Sequence, residues 1–321
     1  MHLADVLACI AVLAVLGVSL LSNALVLICF ACSPDIRKRA ASLFTLNLAT
    51  CNLLLTAINM PLTLLALAGH SQPGGDGLCR AAAFLETFLS ANSMLTVAAL
   101  SVDGWMAVVF PLSYRSRMRH RDAALALAYA WAHSACFAAV AACLSWLGYH
   151  SFYASCTLRS TDTISSATVS FAVFTVAFHT LTFLLSLVVL CVAYLKVLRV
   201  ARFHCKRIDV ITMQTLVLLV DIHPRLLELW PAVPINQHWG VLCKCLAYSK
   251  AACDPFVYSL LRHQYRKACI DIVNRILKRK SRNSERWQRA NGPNTVVQAM
   301  ELSRNSEGTC NVKNKNARFK D

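Results

Sequence analysis

The sequence predicts an all-α integral membrane protein, a bundle of helices that cross the bilayer. Its 321 residues are 57% apolar and 15% charged, whereas soluble globular chains are about 45–50% apolar and about 25% charged. The apolar residues form runs as long as the roughly 20 residues that a spanning helix needs. The net charge is +16, and the basic residues cluster between the runs, as at the cytoplasmic edges of membrane proteins. This pattern excludes a soluble enzyme and a disordered chain, and it argues against nucleic-acid binding.

Six runs are clear spans and one segment is atypical. The predicted spans are about 4–32, 41–68, 78–110, 123–147, 167–200 and 239–262, with the atypical segment 208–232 between the last two. The first run is too long for the apolar core of a signal peptide, although a cleaved signal is the alternative interpretation. Residues 1–265 are therefore predicted to form one transmembrane bundle. Residues 266–321 are predicted to form a cytoplasmic amphipathic helix and a disordered basic tail.

Basic clusters predict the orientation of the chain. They follow the first, third, fifth and last runs, at Arg37–Arg39, Arg115–Arg121, Arg199–Arg207 and Arg262–Lys267. By the positive-inside rule these clusters are cytoplasmic and the N-terminus is extracellular. The number of crossings is then odd, so segment 208–232 must also cross. That segment contains Asp221, Arg225 and Glu228, and each charge at the bilayer centre costs about 2.5–3.5 kcal/mol. The chain thus has six clear spans and a topology that requires seven.

Short motifs occur on these spans in a characteristic order. They are Ser22-Asn23-Ala24-Leu25-Val26 on the first span, Leu46-Asn47-Leu48-Ala49 and Asn52 on the second, Cys79 and Asp103-Gly104-Trp105 on the third, Trp131 on the fourth and Asp254-Pro255-Phe256-Val257-Tyr258 on the last. Together they resemble the rhodopsin-like (class A) G-protein-coupled receptors, over residues 1 to about 275. Within that family the chain is most similar to a small pair of brain orphan receptors with no agreed ligand.

The resemblance implies a seven-transmembrane receptor of the plasma membrane that responds to an unknown extracellular ligand. The expected partner is a heterotrimeric G protein, with Gs and stimulation of adenylyl cyclase as the first choice, with or without added ligand. Membrane lipids and a receptor oligomer are further expected partners. Signalling would follow a two-state rearrangement of helices. No enzyme activity, cofactor or nucleic-acid partner is expected, and no HExxH, GxSxG or Walker motif is present.

Two of the fifteen cysteines differ from the others in their surroundings. Cys residues inside apolar runs act as small hydrophobic side chains, but Cys79 and Cys156 lie in short polar stretches at the mouths of runs. The family's disulfide between the third helix and the second outer loop implies that these two pair. Both fall on the non-cytoplasmic side, where disulfides persist. Two unrelated thiols are the alternative.

The resemblance also implies a ligand cavity. Its expected residues are Glu86, Thr87, Ser90, Lys244 and Tyr248. Glu86 lies two helical turns beyond Cys79, where the family's amine receptors carry an acid. A lone buried carboxylate must be neutralised or paired, so we expect an ion pair with Lys244, which argues against a simple amine as ligand. The alternative is that Lys244 extends its amine to the outer surface.

Asn23, Asn52 and Asp254 are the expected polar core, because polar groups are costly in lipid and face the bundle interior. In the family these positions surround sodium and water. Asn52 replaces the usual Asp, which removes a carboxylate and argues against a sodium site, although Asp254 replaces the usual Asn. No other metal is expected. Hydrogen bonding between helices alone is the alternative role. Pro255 removes one backbone donor, and by resemblance Tyr258 moves inward on activation.

Two departures from the family predict impaired signalling. The family's Asp-Arg-Tyr is Asp103-Gly104-Trp105 here, so the arginine that meets the G protein is missing, and glycine weakens the helix end. The family's sixth helix is also missing between Arg202 and Arg225, a pattern that indicates an internal deletion or a gap in the gene model. The alternative function is a non-signalling fragment, retained in the endoplasmic reticulum, that pairs with full-length receptor.

The polar C-terminal part is predicted to meet the membrane surface. Lys278-Arg279-Lys280-Ser281-Arg282 would attract anionic lipid by about 1 kcal/mol per basic residue. Residues 271–280 are amphipathic enough for a short surface helix. Cys269 is a candidate for palmitoylation.

Overall fold

The computed structural model describes residues 3–114, 118–160, 165–200, 237–260 and 263–291. Its long helices are α1 (Leu3–Cys32), α2 (Ala41–Gly69), α3 (Gly75–Val109), α4 (His120–Cys143), α5 (Ser165–Phe178, His179–Leu184 and Leu185–Val200 in succession), α6 (Gln237–Pro255) and α7 (His263–Asn291). A single helical turn, Pro34–Arg37, lies between α1 and α2. The predicted all-α class is confirmed, with one small β-hairpin added to it.

Within the described part of the chain, five helices, α1 to α5, are long and apolar enough to cross a membrane. Helix α6 coincides with the last predicted span, but it is 19 residues long and less apolar because it carries Lys244, Lys250 and Asp254. The atypical segment 208–232 lies outside the described residues. So does the stretch in which the sequence predicts loss of the family's sixth helix.

Helix α4 is shorter than the span predicted at 123–147. It ends at Cys143, and Ser145 takes a left-handed conformation with φ 57°. The chain then turns into a hairpin, where Trp146 and Leu147 are buried. These apolar loop residues continue the apolar run of the helix, so hydropathy alone places the end of the helix too late.

Helix α3 is the central helix and packs against α2, α4 and α5. Its buried residues include Ala83, Ala91, Asn92 and Thr96. Small residues allow helix backbones to approach closely, and interhelical hydrogen bonds stabilise contacts that lack a hydrophobic driving force in lipid. Helix α1 packs against α2 and α6. The buried polar side chains therefore lie where helices meet.

A two-stranded antiparallel hairpin lies between α4 and α5. Strands β1 (Leu147–His150) and β2 (Ser155–Leu158) pair with Tyr149 opposite Cys156. The predicted disulfide Cys79–Cys156 is confirmed and joins β2 to α3 across a sequence separation of 77 residues. Partial burial raises the pKa of the Tyr149 phenol, which stays neutral at physiological pH. The turn of the hairpin packs against α6, where Gly240 meets Phe152.

The second compact unit of the chain, Lys267–Asp321, is described as far as Asn291, where α7 ends. The surface helix predicted at 271–280 is part of this longer helix. Its exposed apolar side chains Ile270, Val273 and Leu277 recur at the spacing of one helix face. Cys269 is half-buried on α7, and its palmitoylation stays a prediction. The predicted disordered tail lies outside the described residues.

Candidate ligand cavity and polar core

Glu86 on α3 and Lys244 on α6 form an ion pair inside the bundle. Lys244 Nζ donates to Glu86 Oε1, and the two side chains are 7% exposed for the lysine and 15% exposed for the glutamate. This is the contact that the sequence predicts, since a buried carboxylate requires a partner. The ammonium of Lys244 therefore stays in the interior and does not extend to the outer surface.

Neighbouring side chains position this ion pair. Asn59 on α2 donates from Nδ2 to Glu86 Oε2 at 3.5 Å. Lys244 Nζ lies 5.2 Å from the ring centroid of Tyr248, which is a cation–π contact. The Tyr248 hydroxyl is hydrogen-bonded to Thr63 Oγ1 at 2.8 Å. The pair thus connects α2, α3 and α6.

A cavity of about 60 Å³ lies below this pair, enough for a few water molecules at about 10–15 Å³ each. Its lining includes Glu86, Ser90, Ser93, Phe183, Tyr248 and Lys250. Thr87 is not in this lining, and its buried hydroxyl donates to the Ala83 carbonyl at 2.9 Å within α3. Four of the five predicted ligand residues thus lie in or beside one polar space. Their role in binding stays a prediction.

Asp254 on α6 is the centre of the polar core. It is 1% exposed, and Asn52 on α2 donates from Nδ2 to its Oδ2 at 3.0 Å. Lys250, one turn earlier on α6, donates to the same oxygen at 2.8 Å. Lys250 Nζ also donates to Ser93 Oγ on α3 at 3.2 Å. One carboxylate therefore joins three helices, and a lysine supplies its counter-charge.

Asn23 lies beside this core but does not bond to Asp254. Its Nδ2 donates to the Ala251 carbonyl on α6 at 3.0 Å and to the Ser19 carbonyl at 2.8 Å. Ser19 in turn is hydrogen-bonded to Thr56 on α2 at 2.7 Å. Asn23 thus connects α1 with α6, which agrees with the alternative role of hydrogen bonding between helices.

The helix geometry changes immediately after this core. The α-helical part of α6 ends at Pro255, and the wider turn Phe256–Leu260 follows. Proline lacks the backbone N–H that a continuous α-helix would use. Tyr258 is buried within the wider turn. Its predicted inward movement on activation concerns a second state and stays a prediction.

At the other end of α3, Asp103 is buried, and the residue after it in the sequence is Gly104. Tyr114 donates from its hydroxyl to Asp103 Oδ1 at 2.6 Å. Gly104 leaves open space, since an added Cβ would meet nothing within 4 Å. Lys196 Nζ on α5 lies 4.6 Å from the Trp105 ring centroid. The Tyr114 hydroxyl is therefore one hydrogen-bond partner of Asp103.

The described residues offer no cluster of three or more His, Cys, Asp or Glu side chains that could hold a metal ion. The polar core has a single bonded carboxylate, Asp254, and its neighbours donate to it.

The helices and the disulfide-linked hairpin define a multi-pass helical membrane protein with buried polar groups in its interior. The sequence model described as 7 transmembrane receptor (rhodopsin family) matches residues 22–258. The chain therefore belongs to the rhodopsin family of seven-transmembrane receptors, and it is a receptor-type protein and not an enzyme. This confirms the resemblance that the motifs predict.

Several relatives align with most of the chain. Human G-protein coupled receptor 26 is 60% identical over 307 aligned positions, which cover 84% of this chain and 90% of the relative. Its mouse counterpart is 58% identical with the same coverage. Human G-protein coupled receptor 78 is 44% identical and covers 84% of each chain. Since 84% of 321 residues is about 270, about 37 of the 307 positions in the first alignment have no counterpart in this chain.

Sequence reasoning missed Lys250, Asn59 and Tyr114. Lys250 precedes Asp254 by four residues on a helix, a spacing that brings two side chains together, so this pair could have been recognised. Tyr114 follows Asp103 by 11 residues and approaches it only because the chain turns after α3. No local pattern predicts that contact.

Proposed function

We propose that this chain is a receptor whose helix bundle links an extracellular ligand cavity to a heterotrimeric G protein, with Gs as the first choice. Its N-terminus is extracellular, its tail is cytoplasmic, and its site of action is the plasma membrane. The observation that carries the proposal is the match to the rhodopsin family over residues 22–258. The pair Glu86–Lys244 and the small cavity beside it supply buried charged and polar groups with which a ligand could interact.

The same pair restricts the ligand class. A small amine would have to displace the Lys244 ammonium from Glu86, at the cost of leaving one cation without its partner in a buried site. A ligand with its own acidic group meets a related cost, because it would compete with the buried Glu86 carboxylate for Lys244, whereas an uncharged ligand can leave the pair intact. We therefore favour a ligand that is not a simple amine.

We further propose that this chain couples poorly. About 37 positions in the alignment with human G-protein coupled receptor 26 have no counterpart here, which supports a loss of residues, and the motif order predicts that loss between Arg202 and Arg225. Gly104 supplies no charge beside Asp103. Movement of helices relative to one another is the means by which a receptor changes state, so loss of a helix should reduce signalling more than loss of one side chain.

Cyclic AMP in transfected cells tests the proposal. The chain and human G-protein coupled receptor 26 are expressed at matched surface level, with mock-transfected cells as baseline. We expect a rise for the relative and none for this chain. A chimera that carries the relative's unmatched positions should regain a rise, and Gly104→Arg in that chimera should increase it, with Gly104→Ala as the matched control. A full rise from the unmodified chain contradicts the impairment, and no rise from the relative contradicts the Gs assignment.

The second candidate is a non-signalling chain that pairs with full-length receptor. The unmatched positions also favour this second function, because a bundle that lacks one helix exposes the faces of its other helices, which a partner could cover. Co-expression with tagged human G-protein coupled receptor 26 tests it. This function predicts a lower surface level of the relative and retention of both in the endoplasmic reticulum, and an unchanged surface level contradicts it.

A further inference from the structure

We infer that Lys250 is the built-in cation of the polar core, and that its ammonium takes the place of a bound sodium ion there. The family resemblance implies sodium among these residues, but the groups present do not fit it. This inference goes beyond the proposed receptor function and does not depend on ligand or G protein.

The geometry places the ammonium at the centre of the core. Lys250 Nζ is 2.8 Å from Asp254 Oδ2 and 3.2 Å from Ser93 Oγ, and its side chain is 13% exposed. The lysine therefore contacts the acid of the core and a hydroxyl on a different helix. A metal cation on the same carboxylate would lie within a few ångströms of the ammonium, and like charges at such a distance in a buried site repel strongly.

Asn52 and Ser93, two further polar groups of the core, are also already engaged. Asn52 points its Nδ2 donor at Asp254, whereas a sodium ion needs oxygen acceptors. The Ser93 hydroxyl accepts from Lys250 and donates to the Ser90 carbonyl at 2.9 Å. The single negative charge of Asp254 is balanced by the single positive charge of Lys250, so a further cation would leave an excess charge in the bundle interior.

The Lys250 side chain also connects helix α6 with helix α3. Its stem starts on α6, one turn before Asp254, and its head reaches α3, while Asn52 attaches the same carboxylate to α2. A free ion can leave when helices separate, but a tethered ammonium cannot. The polar core of this chain should therefore be permanently charge-balanced and indifferent to the salt outside the cell.

Thermal unfolding of the purified full chain in detergent tests this inference. The apparent Tm is measured in sodium chloride and in choline chloride at the same ionic strength of about 0.15 M. We expect no difference between the two salts for the unmodified chain. Lys250→Met should lower the Tm in choline by about 6–20 °C, and sodium should recover part of that loss. The double variant Asp254→Asn/Lys250→Met should regain most of the Tm that Lys250→Met loses, and its Tm should be the same in sodium chloride and in choline chloride.

Lys38→Met is the matched control, because Lys38 is an exposed lysine that pairs with exposed Asp35, and it should shift the Tm by less than about 2 °C. Selective stabilisation of the unmodified chain by sodium would overturn the inference, since a metal ion would then bind beside Lys250. A Lys250→Met chain that loses stability but ignores sodium would also overturn it, because Lys250 would be only a structural partner. If that variant does not fold, the double variant and the salt comparison of the unmodified chain decide between the same outcomes.

Discussion

Neutralising one member of the Glu86–Lys244 pair should destabilise the bundle strongly, whereas neutralising both should not. Each side chain is mostly buried, at 15% and 7% exposure. Removing one partner of a buried pair costs about 3–5 kcal/mol, because it leaves an uncompensated charge. At about 2–4 °C per kcal/mol, the apparent Tm of Glu86→Gln or Lys244→Met should fall by about 6–20 °C.

The two single variants should differ in a definite direction. In Glu86→Gln the Lys244 ammonium keeps its cation–π contact with Tyr248, which is worth about 0.5–2 kcal/mol. In Lys244→Met the Glu86 carboxylate keeps only the 3.5 Å bond from Asn59 among the contacts described above, and that bond is at the limit of hydrogen-bond length. Lys244→Met should therefore be the less stable of the two.

The assay is a double-mutant cycle on the purified chain in detergent, read as apparent Tm at matched protein concentration. The double variant Glu86→Gln/Lys244→Met should recover most of the loss, so the coupling energy should exceed about 3 kcal/mol, the smallest loss expected of one single variant. The exchange Glu86→Lys/Lys244→Glu should likewise be more stable than either single reversal. The reasoning is refuted if the double variants are no more stable than the worse single variant.

Three further predictions rest on other contacts. Cys156→Ser opens the bond to Cys79 across 77 residues, so the chain should lose about 2–5 kcal/mol of stability, and a non-reducing thermal melt that matches the unmodified chain would contradict this. Tyr114→Phe removes the 2.6 Å hydrogen bond to buried Asp103 and should lower the stability of the chain by about 1–3 kcal/mol, measured by the same thermal melt. An unchanged Tm would show that this hydrogen bond contributes nothing to stability. Gly240→Ala should lower the Tm by displacing the hairpin, since an added Cβ would collide with the Phe152 carbonyl oxygen. Gly17→Ala is the control and should not lower the Tm, because its added Cβ would meet nothing within 4 Å. Equal effects of the two substitutions would contradict the collision.

Hydropathy and motif order predicted the class of the fold, because membrane spans need long apolar segments and leave a strong signal in sequence. They did not predict where α4 ends, since Trp146 and Leu147 are apolar residues buried by the hairpin and not by lipid. The hairpin itself has no strong pattern, as its strands contain only 4 residues each. Short elements of this kind depend on tertiary contacts, here the disulfide to Cys79 and the packing against α6.

The contacts of the site could be predicted from the sequence where a buried charge requires a partner of opposite charge. A buried carboxylate needs a cation, which led from Glu86 to Lys244. The same argument applied to Asp254 would have led to Lys250, four residues earlier on the same helix. The orientation of Thr87 could not be predicted in this way. A hydroxyl in a helix can donate to a nearby backbone carbonyl, as Thr87 does to Ala83, so its sequence position alone does not show where it points.

The orientation of the two termini is the most direct test of the central claim, which is that this chain has the topology of a seven-transmembrane receptor. One epitope is placed before Met1 and another after Asp321, and intact and permeabilised cells are stained. The account predicts that the N-terminal epitope stains on intact cells and that the C-terminal epitope stains only after permeabilisation, as an odd number of crossings requires. Staining of both epitopes on intact cells would contradict the topology, and staining of neither before permeabilisation would contradict the location at the plasma membrane.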